Sequence, residues 1–190
     1  MKYPNWFQAT GAQDNFARHL EYYKGKPVSF LQIGAFTGDA SVWMLENILT
    51  HPGSMLVDVD TWRGSDEQSH NAMDFDDVFL TYSTKTQKYK NLAPMQMTSD
   101  EFFAKASLDF DFIYIDGDHT AFSVMKDLIN AFKVLKKDGI IACDDYHWSD
   151  GRGTFYEPRP AIDAFFNMTR DFVEVIEIGW QVWFRDTRSV

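Results

Sequence analysis

The sequence predicts an α/β protein built on a doubly wound, mostly parallel sheet with an antiparallel hairpin at its C-terminal end. Short apolar strands alternate along the chain with segments of helical periodicity. The strand segments are apolar almost throughout, which is typical of parallel sheets covered on both faces. Residues 171–186 read as two strands around Gly179. Because no repeat or low-complexity linker interrupts the pattern, residues 1–190 are expected to form one domain.

The first half of the chain carries two predicted strands and three predicted helices. Apolar residues at helical spacing predict a helix over Asp14–Tyr23, with Asp14 as its N-cap. Gly25 and Pro27 end that helix. The elements expected after it are a strand at Val28–Ile33, a helix at Ser41–Leu49, a strand at Met55–Val59, a polar loop over Trp62–Asp76 and a helix at Val78–Lys88.

The second half contains the clearest helical pattern, Thr120–Lys137. Lys136 and Lys137 are expected to complement its C-terminal dipole, and Gly139 to close it. The other predicted elements are a short helix at Glu101–Ala106, strands at Asp109–Ile115 and Ile140–Cys143, and a helix at Ala161–Phe166 introduced by Pro158 and Pro160.

Composition and charge limit the classes of partner. The net charge of −10 disfavours binding to nucleic acid or to anionic membranes. No stretch of about 18 apolar residues predicts a membrane span, and no N-terminal pattern predicts a signal peptide. The single cysteine, Cys143, lies in an apolar run. A cytoplasmic location is therefore expected, and the oligomeric state stays open, a homo-oligomer included.

A glycine loop follows the first predicted strand. Ligands of open α/β sheets bind beyond the carboxyl ends of the strands, which is where Gln32–Gly38 lies. Gly34 allows a ligand to approach the backbone, and Gly38 permits a tight turn into the helix. The two glycines are also compatible with a plain strand-to-helix turn. The loop lacks the third glycine of the dinucleotide fingerprint, which argues against a nicotinamide enzyme.

Two aspartates near the end of the second strand are candidates for a ribose. Asp58 and Asp60 lie 20 and 22 residues after Gly38, which suits one helix and one strand. A carboxylate there can accept hydrogen bonds from both ribose hydroxyls. Asp60 is nearer the strand end and is the first choice, although solvated loop acids would give the same pattern.

Three further carboxylates follow two neighbouring strands. Asp116 ends the strand at 112–115, and Asp144 with Asp145 ends the strand at 140–143. Carboxylates that converge at one edge repel each other unless a proton or cation is present. Mg²⁺, which prefers oxygen ligands, is one solution. The alternative is that Asp144 and Asp145 cap the following loop while Asp116 accepts from backbone amides.

These motifs together resemble a known family. The loop Gln32–Gly38 resembles motif I of class I S-adenosylmethionine-dependent methyltransferases, acid-x-Gly-x-x-x-Gly, with Gln32 in place of the acid. Residues 111–146 resemble the second half of metal-dependent O-methyltransferases of the catechol and caffeoyl-CoA type. They resemble still more closely the macrocin-type sugar O-methyltransferases and the cephalosporin-hydroxylase-like proteins. The resemblance covers about residues 28–146, without an alignment of 62–91.

The resemblance implies a Rossmann-like methyltransferase sheet and specific roles for individual residues. His119 would be the general base, with His147 and Asp118 in reserve, and Mg²⁺ or another divalent cation would lie between Asp116, Asp144 and Asp145. The residues implied to bind S-adenosylmethionine are Gly34, Ala35, Phe36, Gly38, Asp60 or Asp58, Thr98, Ser99 and Asp116. Thr98 and Ser99 fit a helix cap equally well.

The implied activity is methylation of a hydroxyl on a small molecule, such as a sugar or a catechol-like ring. The loops Trp62–Asp76 and Trp148–Tyr156 are expected to cover the substrate cleft. Two alternatives stay open: a metal-independent methyltransferase, and a non-catalytic module that binds a nucleotide or S-adenosylmethionine. Gln32 in the place of an acid favours the last of these.

Overall fold

A computed structural model describes residues 2–189 and shows one seven-stranded sheet with helices on both faces. The strands are β1 (Ser29–Ile33), β2 (Met55–Asp60), β3 (Leu92–Gln96), β4 (Phe110–Ile115), β5 (Leu135–Cys143), β6 (Val173–Ile178) and β7 (Val182–Asp186). The α-helices are α1 (Trp6–Ala9), α2 (Ala12–Leu20), α3 (Asp39–Asn47), α4 (Phe75–Thr86), α5 (Ser99–Phe103), α6 (Ala121–Lys133) and α7 (Arg159–Thr169).

The strand order β3-β2-β1-β4-β5-β7-β6 confirms the predicted fold class. The first five strands of this order are parallel, and β7 and β6 are antiparallel to their neighbours. Ile33 pairs with Val59 on one side and with Ile115 on the other, and Ile115 pairs in turn with Cys143. Strands β1, β2, β4 and β5 therefore end at a common edge, as expected from the sequence.

Each face of the sheet buries its own apolar layer. Along β4, Phe112 and Tyr114 pack toward α2 and α3, whereas Ile113 and Ile115 pack toward α6 and α7. Both layers consist mainly of side chains with almost no exposed surface. This double coverage explains why the strand segments are apolar throughout.

Two predicted helix ends are wrong. Asp14 is not the N-cap of α2, because the helix begins after Gly11, whose positive φ of 80° starts the first turn. Helix α6 ends at Lys133, and Leu135 already pairs with Phe110 as the first residue of β5. Burial of Leu135 requires the chain to enter the sheet early, so Lys136 lies in a strand and bonds Asp111.

The sequence prediction has no counterpart for one strand and three short helical segments, one of which is a 3₁₀ turn at Thr154–Tyr156. β3 contains Pro94, which is tolerated because β3 lies at the edge of the sheet. The segment 62–76 is not irregular throughout, since it includes a 3₁₀ turn at Gln68–His70 and the start of α4. Helix α1 has only four residues. None of the helices within residues 2–189 has the length and apolar character needed to cross a membrane.

Candidate active site

A cleft of about 320 Å³ opens at the carboxyl edge of the sheet. Its floor is the glycine loop and the ends of β4 and β5, and its walls come from the N-terminal segment and two covering loops. The side chains and backbone that line it include Trp6, Gln32, Gly34, Phe36, Glu67, His70, Asp116, His119, Asp144, Asp145, Trp148 and Trp180. Carboxylates, imidazoles and aromatic rings therefore share one concave surface.

The conformation of the glycine loop requires a glycine at position 34. Gly34 has φ of +82°, and a Cβ built there would lie 1.8 Å from the carbonyl oxygen of Asp116. Gln32, which replaces the usual acid, donates from Nε2 to the Gly34 carbonyl at 2.8 Å. Gly38 lies outside the cleft lining, and its missing Cβ makes room for the ring of Tyr82. Gln32 thus stiffens the loop from beneath.

Asp60 connects the end of β2 to the glycine loop. Its Oδ2 accepts from the backbone N–H groups of Ala35 and Phe36 at 2.8 and 2.9 Å. Its Oδ1 accepts from the backbone N–H of Trp62 at 2.7 Å, and the indole of Trp62 donates to the Phe36 carbonyl. The carboxylate therefore holds the loop in place at the cleft and keeps one acceptor position on Oδ1.

Asp58 is placed differently. It is 0% exposed, does not line the cleft, and accepts a 2.8 Å hydrogen bond from the hydroxyl of Tyr82. Burial raises the pKa of Asp58 to about 7, and the nearby Asp60 charge adds to that shift. Asp60 is likewise not among the residues that line the cleft. Of the two aspartates considered for a ribose, only Asp60 bonds the backbone of Ala35 and Phe36 in the glycine loop.

Thr98 and Ser99 also lie outside the cleft lining. Thr98 is the N-cap of α5 and forms a reciprocal capping box with Glu101. This is the capping alternative that the sequence left open. Asp118 has a similar local role, because its carboxylate accepts from Thr120 and Ser123 at the start of α6. His147 is exposed and packs beside Tyr146.

Asp116, His119 and Asp145 come together at the floor of the cleft. Nε2 of His119 lies 3.0 Å from Asp145 Oδ2 and 3.9 Å from Asp116 Oδ1. Each of the three residues has one possible metal-ligand atom, and these three atoms all lie within 4.8 Å of one another. The indole of Trp148 packs edge-on against the imidazole, with 4.6 Å between the rings. One small cation can reach all three groups.

The carboxylate of Asp144 is connected to Asp116 through Tyr114, because the Tyr114 hydroxyl is within hydrogen-bond distance of both carboxylates. Asp144 also accepts a hydrogen bond from Gln181 Nε2 at 3.0 Å. Its Oδ1 accepts from the backbone N–H of Asp145 at 2.8 Å. Asp144 borders the cleft, but the structure groups His119, not Asp144, with Asp116 and Asp145.

The charges in this cluster shift one another's pKa values. Burial raises the pKa of Asp116 to about 6, with a further rise from Asp145 that His119 opposes. Burial also raises the pKa of Asp144 to about 8, helped by the charges of Asp116 and Asp145. Burial lowers the pKa of His119, but the carboxylates around it, Glu67 included, raise it well above its usual value. The cluster thus favours a bound positive charge.

The covering loops contribute residues that sequence reasoning missed. Glu67 is only 7% exposed and lies 3.4 Å from His119 Nδ1. Trp6 of α1 stacks on Phe36 with 4.7 Å between the rings, and the ring of His70 lies about equally far from both, at 6.4 Å from Trp6 and 6.5 Å from Phe36. The polar run that contains Glu67 gave no sign of burial, and Trp6 meets its partner only through the fold.

The sheet order, the glycine loop and the carboxylates at its edge define a class I methyltransferase, the class that uses S-adenosylmethionine. The family profile of methyltransferase domains matches residues 31–146, which is more than half of the chain. The chain therefore belongs to this methyltransferase-domain family.

Solved structures share the fold at low sequence identity. The O-methyltransferase TomG of Streptomyces achromogenes, bound to S-adenosylmethionine, aligns at 12% identity over 93% of this chain and 80% of its own, with a TM-score of 0.67. An O-methyltransferase of Bacillus cereus, bound to S-adenosylhomocysteine, aligns at 15% identity over 98% of this chain and 92% of its own, with a TM-score of 0.59. MycE of mycinamycin biosynthesis, solved with Mg and S-adenosylhomocysteine, aligns at 14% identity over 92% of this chain and 49% of its own, with a TM-score of 0.63. No curated protein matches the sequence.

Proposed function

We propose that the chain transfers the methyl group of S-adenosylmethionine to a hydroxyl of a small molecule, with a divalent cation held beside the reacting oxygen. The observation that supports this most is the opening of the Asp116–His119–Asp145 cluster onto the same cleft as the glycine loop. Two of the fold relatives, TomG and the Bacillus cereus enzyme, are O-methyltransferases, and MycE is a methyltransferase solved with Mg, which supports the proposal.

In this proposal, the glycine loop and Asp60 hold the cofactor. Gly34 lets the loop pack against the backbone of Asp116, where any side chain would collide, and the loop backbone that lines the cleft would hold the methionine part of the cofactor. Ala35 and Phe36, which line the cleft, and the spare acceptor position of Asp60 would hold the ribose. The carboxylates of the floor would attract the positively charged cofactor into the cleft.

His119 is proposed as the general base. In the metal-free protein the surrounding carboxylates raise its pKa and favour the protonated imidazole. A cation held by Asp116 and Asp145 would oppose that charge and leave the neutral imidazole that a base requires. The acceptor oxygen attacks the methyl carbon, the carbon–sulfur bond breaks, and S-adenosylhomocysteine leaves as the neutral thioether. The proton of the hydroxyl passes to the imidazole. A positioned base contributes typically about 10²- to 10⁴-fold in rate, and holding the two reactants in line contributes further.

The donor set fits a divalent cation. Asp116 and Asp145 offer carboxylate oxygens, and His119 offers an imidazole nitrogen, within 4.8 Å of one another. Nε2 of His119 cannot both bind the cation and take the proton of the acceptor. With His119 as the base, the carboxylates of Asp116 and Asp145 would hold the cation, and such oxygen ligands suit Mg²⁺. Asp144, which the resemblance includes among the ligands, borders the same floor. When bound, the cation lowers the pKa of a coordinated hydroxyl.

Turnover with radiolabelled S-adenosylmethionine tests the proposal. The acceptors are 3,4-dihydroxybenzoate, as a catechol, and methyl glucoside, as a sugar, each assayed with EDTA and after Mg²⁺ or Mn²⁺ is restored. Methylation that EDTA abolishes and the cation restores supports the proposal, and EDTA-resistant turnover favours the metal-independent alternative. Absence of binding to both S-adenosylmethionine and S-adenosylhomocysteine in calorimetry would contradict all of these functions.

A further inference from the structure

The loop between β2 and α4 carries one buried carboxylate into the cleft. Glu67 is 7% exposed, although its neighbours Asp66 and Gln68 are exposed. Ser65 Oγ donates to Glu67 Oε1, and Ser69 Oγ donates to Oε2 at 3.4 Å. A loop carboxylate normally stays in water because burial of its charge is costly. The local turn therefore aims Glu67 inward against that tendency.

The group that Glu67 faces is the imidazole of His119. Glu67 Oε1 lies 3.4 Å from Nδ1, and among the described residues this buried nitrogen has no hydrogen-bond partner. The opposite ring nitrogen, Nε2, faces Asp116 and Asp145. Glu67 thus approaches the nitrogen that points away from the metal-binding carboxylates. A small movement of the loop is enough to bring the two atoms into hydrogen-bond distance.

We infer that Glu67 is a positioning residue for His119, an assignment that rests on the function proposed above. An acceptor at Nδ1 keeps the proton on that nitrogen and leaves the lone pair of Nε2 directed at the cleft. The same orientation serves a histidine that binds the cation through Nε2, because a ligating histidine usually donates its other N–H to a carboxylate.

The second covering loop holds Glu67 in this position through its neighbour. Arg152 Nη1 lies 3.2 Å from the carboxylate of Asp66, and Nη2 of the same side chain donates to the Asp66 carbonyl. Arg152 belongs to the segment that begins at Trp148, whose ring packs on His119. Both covering loops therefore contribute to the surroundings of His119, one through Glu67 and the other through Trp148.

Nuclear magnetic resonance of histidine-selectively ¹⁵N-labelled protein tests this inference without turnover. With S-adenosylhomocysteine bound, we expect a downfield Nδ1–H proton that exchanges slowly with water and is absent from His119→Ala. Glu67→Ala should lose this signal, Glu67→Gln should keep it at a shifted position, and the exposed control Glu21→Gln should leave it unchanged. A wild-type protein without the signal, or a Glu67→Ala variant that retains it, would overturn the assignment.

Kinetics give a second, separable readout. With an acceptor that the wild type methylates, Glu67→Ala should lower kcat by about 10- to 100-fold, the usual effect of losing the carboxylate behind a functional histidine. KM for S-adenosylmethionine and Tm should match those of Glu21→Ala, and Glu67→Gln should recover part of kcat. An unchanged kcat in Glu67→Ala, with His119→Ala inactive, would refute the inference. A wild type that methylates no acceptor would count against the proposed function only, since the resonance experiment still decides the role of Glu67.

Discussion

Gly34 lies at the closest approach between the glycine loop and the end of β4. Gly34→Ala should destabilise the protein strongly, because the new methyl group would meet the Asp116 carbonyl at 1.8 Å. Gly11→Ala is the matched control, since Gly11 has nearly the same φ of +80° with nothing within 4 Å of an added Cβ. The free energy of unfolding of the control should fall by only about 1–2 kcal/mol, the cost of a left-handed backbone for a residue with a Cβ. Urea unfolding compares the two, and equal losses would contradict the close packing seen here.

Asp58 is a buried carboxylate with a structural role. Its raised pKa, about 7 against the ordinary 3.8, means that the folded protein holds a proton which the unfolded chain releases at lower pH. This contribution to stability is lost as the pH rises from about 4 to about 7. Asp58→Asn keeps an acceptor for Tyr82 and should therefore gain stability over the wild type at pH 8, with the gain shrinking toward pH 4. Tm measured across this range checks the sign, and a variant less stable at pH 8 would refute it.

At the scale of elements, Asp60 joins β2 to the loop that follows β1. Asp60→Ala should weaken S-adenosylhomocysteine binding by more than 10-fold, on the order of 1.4 kcal/mol or more. It removes the acceptor for three backbone N–H groups and the candidate partner of the ribose. The control is Asp109→Ala, an exposed residue at the opposite end of the sheet. Calorimetry measures both variants, and equal affinities would remove Asp60 from the binding site.

The elements also show where sequence reasoning succeeds. Strands β1, β2, β4 and β5 were predicted because their apolar runs are interrupted by glycines and aspartates at the strand ends. β3 was missed since its proline and half-exposed residues remove the usual pattern at a sheet edge. The end of α6 was missed because the buried Leu135 continues the helical spacing of apolar residues into β5.

Part of the candidate site could also be predicted. The common edge of parallel strands predicts that Asp116 lies near Asp144 and Asp145, whereas His119 was implied only by the family resemblance. The orientation of each side chain does not follow from the strand pattern. The contacts of Asp144 with Tyr114 and of Glu67 with His119 therefore could not be predicted from the sequence. Contacts between distant segments, such as Trp6 on Phe36, leave no periodic trace in the sequence.

The whole molecule should show a pH-dependent stability that responds to cations. Burial raises the pKa of Asp58, Asp116, Asp127 and Asp144 to values between about 6 and 8. Raised carboxyl pKa values mean that metal-free protein loses stability as the pH rises from about 4 to about 8. The raised pKa of His119 acts in the same direction, since its contribution is lost as the pH rises through the folded value. Metal-free Tm should therefore fall between pH 5 and pH 8.

A divalent cation should reverse part of that fall. It replaces the protons shared by Asp116 and its neighbours, so Mg²⁺ or Mn²⁺ should raise Tm more at pH 8 than at pH 5. Asp116→Asn should abolish this response, and Asp109→Asn should keep it. A cation effect that is equal at both pH values, or that survives Asp116→Asn, would place the cation elsewhere.

The most direct test of the account is anomalous diffraction from a crystal soaked with Mn²⁺ and S-adenosylhomocysteine. We expect one manganese peak at coordination distance from the carboxylates of Asp116 and Asp145, with the nucleoside beside the glycine loop and Asp60. Manganese bound away from this cluster, or a nucleoside bound at another edge of the sheet, would contradict it.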